Sequence, residues 1–523
     1  MIDVEAQRAA LGEWLQRREP TQPAKLLETH ISFLALQGDR AFKLKKAVKF
    51  PFIDLSTPER RRIDCEREVR LNRRLAPDVY LGVVPLLDAD GTLVDRLVEM
   101  KRMPADASLE HLATCGADLG RCLAELAVQL ARFHEDAATG GPIDAAATRD
   151  EVLRLWDRNA AELDQFAGTV LSEAALGRAN ALARRYLHGR ERLFRDRIDA
   201  HRIRDGHGDL LAADVYCLDG GPQALDCLEF DDALRYGDCL SDVAFLAMDL
   251  ERVGRAAESK LLLDAYARAA GDSWSQSLED FYIAYRALVR AKVAAFGAAL
   301  DADKASVAQQ LQRLALVHLT RGRVRLVLIG GPPATGKTTV ARAVADRLGW
   351  PVLHSDEVRK ELAGLGSTES AAAPLDRGLY AAELRRAAYA QLLRRAREEL
   401  MRGLSVIIDA SWSEPAERDR AAAVSSKAAA DLIAVRCDVP LETAQRRAAR
   451  RAAEARDASD ASGVLVDELT ARFTPWPEAN DLDASELESA VAAVVGLLNA
   501  EVPPSARASR PGPLVPPPGD VGL

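Results

Sequence analysis

No apolar run in this chain approaches the length needed to cross a bilayer, so a helical membrane protein is not expected. The start, Met1 to Glu5, carries neither a basic nor an apolar segment, and no secretory signal is expected from it. No Cys-x-x-Cys pair occurs. The seven cysteines (Cys65, Cys115, Cys122, Cys217, Cys227, Cys239 and Cys437) read as reduced thiols of a cytoplasmic protein rather than a disulfide set or a zinc site. An excess of positive charge is also missing. The net charge of −9 argues against general nucleic-acid binding, and no aromatic–basic stretch suggests stacking on single strands. Internal repeats are not apparent. What remains, 48% apolar and 28% charged, is the balance of a soluble globular protein, and 523 residues imply two or three domains.

The most informative stretch is Gly331, Pro332, Pro333, Ala334, Thr335, Gly336, Lys337 and Thr338, which fits G-x-x-x-x-G-K-S/T. It follows the apolar run Leu326–Ile329 and precedes a helical pattern from Thr339 to Leu348, which is the context the motif needs. Small residues let main-chain N–H groups turn onto phosphate oxygens, and the next helix adds its positive end. Lys337 is expected to reach the outer phosphates, Thr338 to ligate Mg²⁺, and Thr339 to lie at the same nucleotide site. ATP or GTP is the implied ligand.

Two blocks flank a junction near Thr320–Arg323: residues 1–319 and 322–498, followed by a Pro/Gly-rich tail, 499–523, read as disordered. In the first block, Ile31–Leu36, a turn at Gln37–Asp39, and Arg40–Lys45 read as a hairpin. A charged helix, about Pro58 to Leu75, and a strand, Leu93 to Met100, precede a mainly helical region. In the second block, strands at Val324–Ile329, Pro351–His354, Leu404–Ile408 and Leu432–Arg436 alternate with helical patterns. A fifth short strand is expected near Asn480–Leu482. That order predicts parallel βαβ units.

Beyond the phosphate loop, Asp356 and Arg359 follow the second strand, where the ligand crevice of an open α/β sheet lies. Asp356 would take a proton from a substrate hydroxyl or hold Mg²⁺, and Arg359 would bind an anionic or polar substrate. Asp409 ends an apolar strand and fits the acid that reaches Mg²⁺, with a helix cap before Ser411 as the alternative. Arg447 and Arg451 share a helical face suited to a lid over the transferring phosphoryl group, or to a solvated basic surface. This arrangement, about Val324 to Leu498, resembles the small-molecule P-loop kinases, among them gluconate kinases, zeta-toxin-like sugar-nucleotide kinases and chloramphenicol phosphotransferases. The resemblance places Asp356 near the acceptor hydroxyl and leaves the acceptor open.

In the first block, Asp209 and Asp214 share a loop, and Asp226 follows a hairpin, which places three carboxylates around one site. Here the chain, over most of residues 28 to 318, resembles the aminoglycoside phosphotransferases, relatives of protein kinases. The resemblance implies a two-lobed fold, α+β beside the α/β second block. It makes Asp209 the catalytic aspartate, His207 a loop stabiliser, Asp226 a metal-binding acid, and Asp242 a brace for the loop. It matches Lys43 to the phosphate-contacting strand lysine and Glu68 to its helix partner, with Lys45 competing on the same face. Two positions depart from H-G-D-L-H-x-x-N: Leu211 replaces the second histidine, and Asp214 replaces the asparagine. An aspartate still suits Mg²⁺ but adds negative charge near a triphosphate. No G-x-G-x-x-G is present, and Thr29–Ser32 stands where that loop belongs. Glu99–Pro104 reads as an interlobe hinge or a plain strand end. Tyr282, Tyr285, Arg286 and Arg290 read as an acceptor-cleft lining or a mixed core-and-surface helix. The order of the two units resembles bifunctional aminoglycoside-phosphotransferase-like/P-loop ATP-binding proteins.

The leading expectation is a phosphotransferase using ATP and Mg²⁺ to phosphorylate a hydroxyl of a small polar metabolite, without membrane or general nucleic-acid partners. The alternatives are a single active P-loop kinase with an amino-terminal pseudokinase or substrate sensor, and a non-enzymatic ATP-gated switch.

Overall fold

Ser32–Gln37 and Arg40–Lys45, joined by a tight turn and buried along nearly their whole length, pair as the first hairpin of a five-stranded antiparallel sheet. In a computed structural model, the described residues are 3–50, 53–299, 301–365, 382–454, 470–471 and 473–499, with only the backbone for 451–454. The sheet runs Lys25–Glu28, Ser32–Gln37, Arg40–Lys45, Leu93–Lys101, Tyr80–Leu87 in space. Helix Pro58–Asn72 packs on it. Thr57 caps the helix by accepting from the Arg60 N–H, and Pro58 opens its first turn. Its Cys65 and Val69 join Leu34, Ala41 and Val98 in a small apolar core, while Glu68 turns to the lysine strand. The helix Val4–Arg18 covers the other face through Leu11 and Leu15.

The second lobe is mainly helical. Helix Cys239–Arg252 is buried along nearly its whole length, between Gln276–Gly297 and Ala256–Ala270. The segment His207–Asp209 lies between strand Ile203–Asp205, which pairs with Tyr236–Asp238, and the hairpin Val215–Leu218/Gly221–Ala224. These two lobes are the expected kinase-like architecture.

One expectation fails here. Cys122, on helix Gly120–Asp136, and Cys217, on strand Val215–Leu218, form a disulfide across 95 residues of sequence, with Cα atoms 5.7 Å apart. The hairpin packs on that helix, so tertiary folding rather than motif spacing brings the sulfurs together. The other five are free; Cys115 is exposed and Cys65, Cys227, Cys239 and Cys437 are buried. The cysteines therefore no longer support a fully reduced thiol set.

Helix Ala302–Arg321 leads through Gly322–Val324 into strand Arg325–Gly330, the centre of a second, parallel sheet. Numbered by their order within this domain, the strands lie 2-3-1-4-5: Val352–His354, Val406–Asp409, Arg325–Gly330, Asp431–Asp438, Asn480–Asp483. Continuous burial of Arg325–Gly330 matches a strand covered on both faces. The second domain packs on the helical lobe. Asp431 receives Arg185 at 2.7 Å and Arg323 at 2.6 Å, and Arg190 Nη1 donates to the Ala428 carbonyl at 2.7 Å. Ser277 Oγ donates to the Gly403 carbonyl at 2.7 Å. Gly189 permits this approach, because a Cβ there would stand 2.2 Å from the Ala428 oxygen. The tail from 500 onward lies outside the described residues, as does the side chain of Arg451. Among the described residues, no helix is long and apolar enough to cross a membrane.

Candidate active sites

Parallel pairing sets the carboxyl-terminal site. Ile329 pairs with Asp409, and Asp409 pairs with His354, so three neighbouring strands end level at the phosphate loop. Gly331 has φ +132°, and a Cβ there would meet the Cys437 carbonyl oxygen at 2.3 Å. Helix Lys337–Leu348 begins at Gly336, φ +97°, which offers no side-chain acceptor. Its first turn forms the positive end of the helix, where an anion is favoured. Thr338 Oγ1 donates to Asp409 Oδ2 at 2.7 Å, and His354 Nδ1 lies 2.9 Å from the same oxygen. Asp409 and His354 are both buried. Lys337 Nζ folds over the loop onto the Pro332 carbonyl at 2.8 Å, and Thr335 Oγ1 donates to the same carbonyl at 2.9 Å. A threonine hydroxyl and a carboxylate held together are hard oxygen donors. That fits Mg²⁺, which uses one or two carboxylates and completes its shell with phosphates and water.

Ala334 also has positive φ, 62°, and packs against Ala444 and Ala448 of helix Leu441–Glu454. From that helix Arg447 donates to the carbonyls of Thr335 at 3.2 Å, and of Ala484 and Ser485 at 3.1 Å each. The arginine helix is therefore stitched to the phosphate loop. Asp356 and Arg359, one turn apart on Ser355–Leu362, are ion-paired with each other. Pro333 and Thr339 complete the loop and the first helical turn.

In the amino-terminal domain, Lys43 and Lys45 are two apart on one strand and point the same way. Lys43 Nζ is 3.0 Å from Glu68 Oε1 and 3.0 Å from Asp226 Oδ1. Lys45 Nζ is 2.6 Å from Glu68 Oε2, 2.8 Å from Asp64, and also pairs with Glu229. Burial alone would raise Glu68; Lys43 and then Lys45 outweigh it and hold the carboxyl down at about 2. Burial works against the charge on both lysines too. Asp226 and Glu68 around Lys43, and Glu229 and Glu68 around Lys45, raise both instead.

Asp242 braces the loop as the resemblance implied: Oδ2 accepts from His207 N at 2.7 Å, and Oδ1 from Gly208 N at 2.8 Å. His207 Nε2 lies 3.0 Å from the Leu225 carbonyl, and burial lowers its pKa. Asp209 stands at the cleft, its side chain 36% exposed and 3.6 Å from Arg290 Nη1. The protein packed around it still raises its pKa. Asp214 is buried in the turn Ala212–Asp214 and is raised well above the usual range, first by burial, then by Asp226 and Asp209. Asp226 has φ 62°, and its N–H donates to the Tyr80 hydroxyl oxygen at 3.2 Å. The Thr29 and Ser32 hydroxyls lie 2.9 Å apart in the turn joining the first two strands. Sequence reasoning missed His354, Asp64 and Glu229. The signal for His354 was its place at the end of a strand neighbouring Asp409.

A sequence model described as an AAA domain matches residues 326–476. A protein of Mycobacterium tuberculosis, "Uncharacterized protein Rv2004c", is 40% identical over 459 residues, covering 88% of this chain and 92% of its own length. The chain belongs to the same family. Two solved structures are similar to its separate parts. A sugar kinase from a Janibacter species is 21% identical and covers 36% of this chain and 99% of its own, with a TM-score of 0.27. A choline/ethanolamine kinase family protein from Mesorhizobium loti is 14% identical, covering 60% of this chain and 98% of its own, with a TM-score of 0.36. In this chain the phosphate loop and the lysine–glutamate pair lie on one polypeptide, in a parallel-sheet domain and a two-lobed domain.

Proposed function

We propose that this chain is an ATP-dependent phosphotransferase that phosphorylates a hydroxyl of a small polar metabolite. The observation that carries it is the Thr338–Asp409 contact of 2.7 Å, at the N-terminus of a helix that opens with Lys337. Main-chain N–H groups of residues 334–338 grip the β- and γ-phosphates, and Lys337 leaves the Pro332 carbonyl to join them. Thr338 and Asp409 hold Mg²⁺, which neutralises charge on the phosphate oxygens when bound. His354 fixes the orientation of the Asp409 carboxylate. Asp356 accepts the acceptor's proton, and Arg359 receives an anionic or polar part of the acceptor. Arg447 and Arg451 belong to the helix that closes over the transferring group. Replacing Lys337 with Ala in a full chain already carrying Asp209→Asn should abolish ATP turnover. Turnover unchanged in that double variant would sink the proposal.

The amino-terminal domain is a second phosphotransfer site in this reading. Lys43 meets the phosphates, Glu68 positions it, Asp214 and Asp226 hold Mg²⁺, and Asp209 takes the acceptor's proton. A sensor without catalysis is the second reading, favoured by the buried Asp214, which sets a further acid beside Asp209 and Asp226. A product profile untouched by Asp209→Asn would select the sensor.

A further inference from the structure

Acids and arginines meet at the mouth of the amino-terminal cleft. Asp209, Asp214 and Asp226 lie together on the side where metal and phosphates would sit. Helix Gln276–Gly297 brings Arg286 and Arg290, one turn apart, up to these acids. Arg290 is 30% exposed and lies beside Asp209. Arg286 is held in place: Nε donates to the Ser241 carbonyl at 3.0 Å and Nη1 to the Gly208 carbonyl at 3.5 Å. Its guanidinium also stands 4.6 Å from the Phe245 ring centre and 5.7 Å from that of Tyr285. Those partners are carbonyls and rings, so they orient the cation without neutralising it. Exposed Arg158, from helix Arg149–Asp164, acts on the same Tyr285. Glu162, which also acts on Tyr285, is paired with Lys292.

We propose that the acceptor at Asp209 is an anion, a hydroxylated carboxylate or phosphate ester, whose negative group is received by Arg290 and Arg286. This rests on the reading that the amino-terminal domain is catalytic. An acceptor hydroxyl within reach of Asp209 sets its neighbouring substituents beside Arg290. A cationic acceptor there would face guanidinium groups and a Mg²⁺-neutralised acid cluster. In the step itself, the acceptor oxygen bonds to the γ-phosphorus of ATP. The bond from that phosphorus to the bridging oxygen breaks, and its electron pair leaves on ADP. The hydroxyl proton passes to the Asp209 carboxylate, and Arg290 turns from Asp209 to the acceptor's charge.

The test uses the full chain carrying Lys337→Ala, so that turnover reports the Asp209 site. Gluconate, glycerate and glycerol 3-phosphate are compared with choline, kanamycin and glucose, following ADP release and product mass. The expected result is phosphorylation of one or more acids, lost with Asp209→Asn. Arg290→Gln and Arg158→Gln should each raise KM for that acid, the former about tenfold, as for loss of one charge-assisted contact. Asp209-dependent phosphorylation of choline, kanamycin or glucose in preference to the acids would overturn the proposal, as would a KM indifferent to Arg290. If nothing is phosphorylated, calorimetry of the same acids with Mg²⁺ and a non-hydrolysable ATP analogue decides. Binding lost in Arg290→Gln supports the ligand class while the catalytic reading fails; no binding of any acid overturns the class itself.

Discussion

Lys43 and Lys45 both touch Glu68, yet they should answer differently to the same substitution. Lys45 is fully buried and is the cation shared by Asp64, Glu68 and Glu229. Lys45→Met leaves Lys43 for Glu68 but strips Asp64 and Glu229 of a buried partner, a loss of the kind that costs about 3–5 kcal/mol. Lys43→Met leaves Glu68 paired with Lys45, and Asp226, with a side chain 25% exposed, can turn to water. Its cost should stay at about 1–3 kcal/mol. Nucleotide binding should show the reverse order, because Lys43 rather than Lys45 reaches Asp226 at the cleft. The assay is urea unfolding of each full-length variant, with calorimetric ATP titration in a Lys337→Ala background. Equal stabilities, or undiminished ATP binding by Lys43→Met, would refute the division of labour.

Three further outcomes are expected. His318 is buried, with Asp280 at 2.7 Å and Glu251 at 2.9 Å; burial opposes its charge, but the two carboxylates raise its pKa, and theirs are lowered. The histidine's contribution is then complete below about pH 6.5 and is lost as pH rises through its folded pKa. The carboxylates' contribution holds above about pH 4 and is lost as pH falls through their lowered values. His318→Gln should flatten the alkaline decline in unfolding experiments, and an unchanged pH profile would count against the cluster. Under denaturing, non-reducing conditions five cysteines should alkylate, and all seven after reduction. Breaking the bridge should cost up to about 4–5 kcal/mol for a loop this long, and seven labels without reduction would remove it. Gly331→Ala should lose the phosphate-loop conformation at a cost of about 1–3 kcal/mol, because positive φ and the Cys437 carbonyl both exclude a Cβ. Wild-type stability and ATP binding in that variant would contradict the geometry.

The first four strands of the second domain were legible because each is a short apolar run closed by polar residues, and the phosphate loop fixed which one came first. Their lateral order was not, since nothing local in Val406–Asp409 says that it inserts between Val352–His354 and Arg325–Gly330. The Lys43–Glu68 pair could be anticipated from position, whereas Glu229 could not, because its partner lies 184 residues away. Helical spacing placed Arg447 on a face but could not show that its guanidinium would grip the Thr335, Ala484 and Ser485 carbonyls. The Cys122–Cys217 link escaped for a related reason: its signal is packing, not spacing.

The seam between the two domains bears on how this protein should be handled. Asp431 is clasped by arginines from both sides of the junction, Arg190 has no exposed surface, and Gly189 lets two backbones nearly touch. Severing the chain near residue 320 would open that seam to water, stranding the Arg190 guanidinium on one fragment and leaving Asp431 on the other with Arg323 alone. Point changes that silence one cleft at a time keep the block whole, and they are the sounder way to learn which half performs which chemistry.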